Sequence, residues 1–309
     1  MIELSIIVVN YNTANLTLAC LQSIIKQTKD LSYELIVVDN ASTDQSAAFI
    51  KSQIPEVIWL QNATNLGFGS AVNLGVLKAC GTFVAVMNSD IVVLDKALEQ
   101  MLIRFRTDAE HVGMVNCSLV DEFDVHQKAV YFYNASFKEV LSYNRILHYL
   151  FHRWFKSTPS EIKALNGACL LFKRSLFESL KGFDPDFFLY SEEFDLCRRI
   201  LAQGYRLSCY EKIKVLHQNE GSSPGKSWNL RQRSASIALL FRKTHGVGGL
   251  MLYYSLILLN AVLNALLIWR MNQKERIEFW GSIRIHGLNI LLYFRILFRV
   301  KSNIPIKVK

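Results

Sequence analysis

Short, almost wholly apolar runs alternate with helix-like stretches through the first 120 residues, and that alternation leaves few folds open. The runs are LSIIVVN (4–10), ELIVVDN (34–40), VIWLQ (57–61), TFVAVMN (82–88) and VGMVNC (112–117). They are rich in β-branched residues, which favour strands. The helix-like stretches are Asn15–Gln27, Asp44–Lys51, Ser70–Ala79 and Lys96–Arg106. Strands with no polar face are covered on both sides, so the expectation is an α/β fold with a mostly parallel sheet flanked by helices. Ligands of such sheets bind beyond the carboxyl ends of the strands. The residues just after each run are therefore the ones to inspect.

Residues 120–160 break the alternation; they are aromatic, mixed in charge and give no assignable element. Beyond them the pattern predicts a short strand (Ala168–Phe172), a helix (Arg174–Leu180), a GFDP turn and an amphipathic helix (Glu192–Gln203). Two short strands near Arg206–Tyr210 and Lys214–Leu216 and a helix over Trp228–His245 follow. The chemistry changes at Gly246. Residues 247–269, VGGLMLYYSLILLNAVLNALLIW, carry no charge, and a run of that length just spans a hydrocarbon core of about 30 Å. A second apolar run, Leu288–Phe298, is interrupted by Arg295 and reads as an interfacial helix. The chain has a net charge of +9, and residues 245–309 hold nine Lys and Arg against two Glu. A basic tail interleaved with apolar runs fits an anionic membrane surface better than nucleic acid. A buried core helix is the competing reading of 247–269, but it would need a large partner surface. The expected organisation is a domain over 1–245, with halves at 1–118 and 119–245, and a basic hydrophobic helical tail over 246–309.

Six single cysteines without a CxxC pair offer neither a metal cluster nor a disulfide framework, which suits a reducing compartment. No charged segment and cleavage site precede the first strand, so no signal peptide is expected.

Polar clusters stand at four strand ends. They are Asn10-Tyr11-Asn12, Asp39-Asn40-Ala41-Ser42-Thr43-Asp44, the segment Asn65-Leu66-Gly67-Phe68-Gly69-Ser70-Ala71-Val72-Asn73, and Asn88-Ser89-Asp90. Singly, each has a plain structural use: Asp44 as a helix cap, the glycines as turns. All four at one ligand-binding edge suit a nucleotide diphosphate. Asp39 offers the base a hydrogen-bonding partner. Gly67 and Gly69 let backbone approach closely. Asp90 is a hard oxygen ligand for a divalent cation, and Asn88 can add a carbonyl or orient a water.

The set YN, IVVDNASTDQS, NLGFGSAVNLG and MNSD resembles glycosyltransferase family 2 with the GT-A fold. The later NGACLLFKRSLFESLKGFDPDFFLYSEEFDLCRRILAQGYRL resembles the acceptor half of bacterial rhamnosyltransferase-type members, and VLHQNEGSS the family's downstream metal-binding histidine. The resemblance covers about residues 3–245. It implies inverting transfer of a sugar from a nucleotide-sugar donor, dTDP-rhamnose by resemblance, with Mg²⁺ or Mn²⁺ bound at Asp90 and His217. The donor residues it implies are Asn10, Tyr11, Asn12, Asp39, Asn40, Asn65, Gly67, Phe68, Gly69, Asn73 and Asn88. The base falls in the E-D pair, whose second position is here Glu193 in place of Asp. That change leaves the base open between Glu193 and Glu192, while Asp195 either caps the helix or positions the acceptor. Asn88 likewise stands where a strict D-x-D motif has its first Asp.

With the tail, the resemblance implies a polyprenyl-diphosphate-linked glycan acceptor and a cell-surface polysaccharide product such as O-antigen. The enzyme would sit on the cytoplasmic face of a bacterial inner membrane. Arg270, Lys274 and Arg276 follow the apolar run, and a single span ending there would put residues 1–245 outside, away from nucleotide sugars. An in-plane or re-entrant, monotopic attachment avoids this. Transfer from another UDP- or GDP-hexose is an alternative donor reading. A nucleotidyltransferase is disfavoured because NYNTANLTLA lacks its Gly and Lys, and an inactive scaffold because Asp39, Asp90, Glu193 and His217 are all present.

Overall fold

The computed structural model describes residues 2–108, 110–142, 161–218, 225–266, 268–270, 272–298 and 307. The strands are β1 (Leu4–Asn10), β2 (Tyr33–Asp39), β3 (Ile58–Gln61), β4 (Phe83–Asn88), β5 (Ile91–Val93), β6 (Val112–Val120), β7 (Val130–Tyr131), β8 (Ala164–Leu165), β9 (Cys169–Lys173) and β10 (Arg206–His217). Eight form one sheet in the order β3-β2-β1-β4-β9-β6-β10-β5, while β7 and β8 pair separately. Strands β3, β2, β1 and β4 run parallel, as do β6 and β10. Strand β9 lies antiparallel between β4 and β6, and β5 antiparallel to β10.

Helices α1 (Ala14–Gln27), α2 (Ser46–Gln53), α3 (Phe68–Lys78), α4 (Ala97–Asp108), α6 (Arg174–Ser179) and α7 (Glu192–Ala202) accompany this sheet; α5 (Phe137–Ser142) falls between β7 and β8 in sequence. Alternation along β1 divides the core. Leu4, Ile6 and Val8 join Leu21 and Ile24 of α1 and Met101 and Phe105 of α4. Ile7 joins Ala71, Val72 and Val76 of α3 and Leu196 and Ile200 of α7. Both faces of β1 are thus covered, which is why it is almost wholly apolar.

Some expectations change. The two short strands at Arg206–Tyr210 and Lys214–Leu216 are one strand whose register against β6 shifts between Tyr210 and Lys214. A bulge there interrupts the apolar alternation and makes one strand look like two. The helix expected over Trp228–His245 and the apolar run after it meet at Gly246, whose non-helical φ of 71° kinks α8 (Lys226–Ala265) between them. Within the tail expected to be helical, α9 (Gln273–Leu288) precedes α10 (Ile290–Phe298). The part of the aromatic stretch that lies at 143–155 and residues 219–223 of VLHQNEGSS lie outside the described residues.

The chain divides into two compact units: Met1–Tyr131, Ile162–Phe188 and Glu192–Ser222 form one, and Phe132–Glu161, Leu189–Ser191 and Ser223–Lys309 the other. In the second unit α8 packs on α5, α9 and α10. Asn260, inside the apolar run, is buried and donates from its amide to the Val140 carbonyl at 2.8 Å. Ser227–Ala265 is long and apolar enough to cross a membrane by length and composition, and its most apolar window has a mean hydropathy of 1.7 with only 17% of it buried. That exposure removes the buried-core reading of 247–269. Met251, Leu258, Leu266, Trp269, Ile277 and Trp280 are all more than half exposed.

Candidate active site

Asp39 ends β2 almost without solvent exposure, and four donors reach its carboxylate. Oδ1 accepts from Asn10 Nδ2 at 2.6 Å and Ser42 Oγ at 2.5 Å; Oδ2 accepts from the Ser42 backbone N–H at 2.9 Å and Gln61 Nε2 at 2.5 Å. Burying a charge demands this density of partners. Asn10 lies beneath the surface, and its Oδ1 accepts from Thr13 and Thr17. It organises the strand end rather than facing solvent. Tyr11 is half-buried and Asn12 exposed. Asn12, at a φ of 55°, ties the first strand end to the second: its N–H donates to Ser42 Oγ, and its Oδ1 accepts from the Thr43 N–H. Asp44 joins two helix starts, accepting from Ala14 N of α1 and from the N–H and hydroxyl of Ser46 of α2. That places negative charge where helix ends favour it.

The glycine segment supports the next strand end. Asn40 donates to the Gly67 carbonyl at 3.1 Å, and the Gly67 N–H donates to Asn65 Oδ1 at 3.0 Å. Gly67 has a φ of 87°, and a Cβ there would run into the Phe188 carbonyl. That carbonyl accepts the Phe68 N–H at 3.0 Å. Only glycine satisfies both demands. Asn73 faces a different task from donor contact. Its Oδ1 accepts the Phe183 N–H at 2.9 Å and its Nδ2 donates to the Phe183 carbonyl at 2.8 Å, clamping the GFDP turn. Asp184 closes that turn by accepting from the Asp186 N–H.

His217 ends β10 and stands beside Asp90, with Nε2 3.5 Å from Asp90 Oδ1; both residues are buried. Gln127 fixes the imidazole. Its Nε2 donates to the His217 carbonyl at 2.7 Å, which turns its Oε1 toward Nδ1 at 2.8 Å. Nδ1 then carries the proton in the assigned network, and Nε2 presents a lone pair to a carboxylate. Two acceptors across a short gap need a proton or a cation between them. Burial pushes the His217 pKa down, against the opposing effect of Asp90, and this disfavours the proton. One imidazole and one carboxylate suit a divalent ion such as Mn²⁺. No cluster of three or more His, Cys, Asp or Glu able to hold a metal occurs among the described residues.

Glu192 and Glu193 open α7. A Cβ on Gly69 would lie 3.5 Å from Glu192 Cβ, and one on Gly167 would lie 3.6 Å from Glu193 Cβ. Gly167 precedes Ala168, whose carbonyl accepts the Asn88 N–H at 2.9 Å. The carboxylate pair and the Asn88–Asp90 strand end therefore share one region. Glu192 is buried, and its Oε2 has no hydrogen-bond partner among the described residues. Burial first, then the neighbouring Glu193 charge, holds its pKa well above the ordinary carboxylate range. Glu193 is only partly buried. Asp195 is spent elsewhere: Oδ1 accepts from Arg198 at 2.8 Å and Oδ2 from Arg199 at 2.7 Å. Arg199 continues to the Leu180 and Gly182 carbonyls.

Gln61 and Gln127 escaped the sequence reading. Gln61 is the last residue of a strand, and strand ends were where ligand contacts were expected. Gln127 lies in the unassigned stretch, 90 residues before its partner His217, and nothing local signals it.

Residues 5–181 match the family model described as Glycosyl transferase family 2. An O-antigen biosynthesis protein, RfbC, of Myxococcus xanthus is 25% identical over 71% of this chain, but the match spans only 18% of that protein. An N-acetylglucosaminyl-diphospho-decaprenol L-rhamnosyltransferase of Mycobacterium tuberculosis is 26% identical over 67% of this chain and 75% of its own. The fold is similar to that of a Pyrobaculum calidifontis mannosyltransferase solved with GDP-Man and Mn²⁺, at a TM-score of 0.60 and 19% identity, covering 96% of this chain and 87% of that one. With the mostly parallel sheet, its polar strand ends and a family match across more than half its length, the chain belongs to glycosyl transferase family 2 and has a GT-A-like fold.

Proposed function

We propose that this chain is an inverting glycosyltransferase that moves rhamnose from dTDP-rhamnose to a polyprenyl-diphosphate-linked glycan in the assembly of a cell-surface polysaccharide such as O-antigen. The observation that carries the reading is the shared location of the partly exposed Glu193 and the Asp90–His217 pair at one sheet edge. The Mycobacterium relative's name supports the sugar and the kind of acceptor, and the Myxococcus relative's name supports the product class.

Glu193 takes the proton of the acceptor hydroxyl as its oxygen attacks the anomeric carbon. The bond to the nucleoside diphosphate breaks on the opposite side, its electron pair leaves with the diphosphate, and the configuration inverts. A divalent cation held by Asp90 and His217 supplies, when bound, positive charge against the departing diphosphate. Gln127 keeps Nε2 of His217 available to it. Asn10, Asn12, Ser42 and Asp39 shape the nucleotide edge, Asn40, Asn65, Gly67, Phe68 and Gly69 its glycine wall, and Asn88 the floor beside Asp90. Asp195 and Asn73 position the acceptor half through the turn at 180–183. The exposed apolar surface of α8, α9 and the turn between them attaches the protein to the cytoplasmic membrane face without spanning it.

Calorimetry with dTDP-rhamnose, UDP-sugars and GDP-sugars, with and without Mn²⁺ or Mg²⁺, tests the reading. Binding of dTDP-rhamnose that requires metal and is lost in Asp90→Ala is the expected result. Gln127→Ala should weaken Mn²⁺ affinity about 10- to 100-fold, as loss of a ligand's orienting partner does. Binding of a UDP- or GDP-sugar alone would reassign the donor, and binding of none would leave a scaffold without catalysis.

A further inference from the structure

The Asp39 carboxylate has no acceptor position left for a nucleobase. A carboxylate offers about four lone-pair sites, and Asn10, Ser42 (twice) and Gln61 take them. A base can reach Asp39 only if one donor leaves, and the four are not equally held. Asn10 is fully buried, with its carbonyl tied to Thr13 and Thr17. Ser42 supplies a backbone N–H in the turn after β2, and its hydroxyl also accepts from Asn10 and from the Asn12 N–H. Gln61 is exposed at the end of β3, the edge strand of the sheet, on a side chain with three rotatable bonds. Trp59, two residues back on the same strand face, donates from Nε1 to Gln61 Oε1 at 3.0 Å, which turns the amide nitrogen toward Asp39.

We propose that Gln61 closes the Asp39 carboxylate and is the one donor that the incoming nucleobase displaces. This rests on Asp39 lying in the donor site, as read above. The displacement opens a single acceptor position, on Oδ2. Thymine and uracil present one ring N–H between two carbonyls and fill one position. Guanine presents two adjacent N–H donors and needs two. Gln61 thus both taxes nucleotide affinity and restricts the site to a base with one imide proton. A competing closed state lowers apparent affinity by the fraction of molecules left open.

Calorimetry of the full chain with dTDP, UDP and GDP in Mn²⁺ decides the matter. Gln61→Ala should bind dTDP and UDP about 5- to 10-fold tighter than the unmodified protein, the scale of one charge-assisted hydrogen bond at an exposed site. GDP should gain nothing. Trp59→Phe, which removes only the N–H that orients Gln61, should move affinity the same way by less. Equal or weaker dTDP binding by Gln61→Ala overturns the displacement while the donor site stands, because the unmodified protein still binds. An equal gain for GDP overturns the single-position argument. Failure of both proteins to bind any nucleotide overturns the donor-site reading and this inference together.

Discussion

Glu192 and Glu193 are neighbours in sequence with the same side chain, and burial separates their chemistry. Desolvation, with the Glu193 charge added, holds the Glu192 carboxyl protonated well above the ordinary range, and a protonated carboxyl cannot accept a proton from an acceptor hydroxyl. Glu193→Gln should therefore cost turnover about 10²- to 10⁴-fold while nucleotide affinity stays. Glu192→Gln should keep most of the turnover, and the opposite pattern would exchange the two roles. A pH series supplies a second check. A carboxyl with a raised folded pKa gives its full stability below the unfolded pKa, about 4.3 for Glu, and loses it as pH rises through the folded value. Glu192→Gln is neutral at every pH. Its thermal midpoint should match that of the unmodified protein at pH below about 4 and exceed it increasingly as pH rises from there toward the raised folded pKa. A difference independent of pH would show that burial does not govern Glu192. The sequence named both residues because the motif did; it left the base open because spacing carries no information on which of two adjacent side chains faces solvent.

The start of α7 shows how an element can be legible while its wiring is not. Its amphipathic pattern and acidic first turn mark the helix from residues alone, and the observed Glu192–Ala202 is within a residue of the expected span. The Asp195 clamp to Arg198 and Arg199, carried on to Leu180 and Gly182, depends on a turn that only the fold brings near. Removing a buried carboxylate from such a pair leaves guanidinium groups uncompensated. Asp195→Ala should cost roughly 2–4 kcal/mol in urea unfolding, and a loss under 1 kcal/mol would mean that the clamp is ornamental. The same division runs through the sheet. Strands β1, β2 and β4 were readable because both faces are buried and nearly every residue is apolar. The insertion of β9 between β4 and β6 was not, since an antiparallel partner with both faces covered has the same composition as a parallel one. At the site, strand-end polarity pointed to Asp39 and Asp90. Gln127 depends on a contact spanning 90 residues, and no local pattern encodes that.

At the scale of the whole chain, the charge and the exposed apolar surface occur in the same tail. Residues 245–309 hold nine Lys and Arg against two Glu. The same region exposes Met251 at 58%, Leu258 at 66%, Leu266 at 68% and Trp269 at 87%. Scattered apolar side chains are ordinary on a soluble surface; a run of large ones along α8 and the turn after it is not. Each Leu or Met that enters lipid contributes up to about 1.5–3 kcal/mol, and each nearby cation adds about 1 kcal/mol at an anionic surface. Several of each suffice for stable attachment. Asn260 hydrogen-bonds to Val140 within its own unit, so its polarity does not oppose burial of the exposed face in lipid. Three exposed substitutions, Leu258→Asp, Leu266→Asp and Trp269→Glu, leave the packed face untouched and test the attachment directly. Flotation with vesicles of mixed phosphatidylglycerol and phosphatidylethanolamine should recover the unmodified protein and lose the triple variant. An in-plane helix also predicts that binding weakens as salt rises toward about 1 M, where charge screening reaches within about 3 Å, and that bound protein moves to fresh vesicles. Retention of the triple variant in high salt, with no exchange between vesicles, would instead require α8 to cross the bilayer.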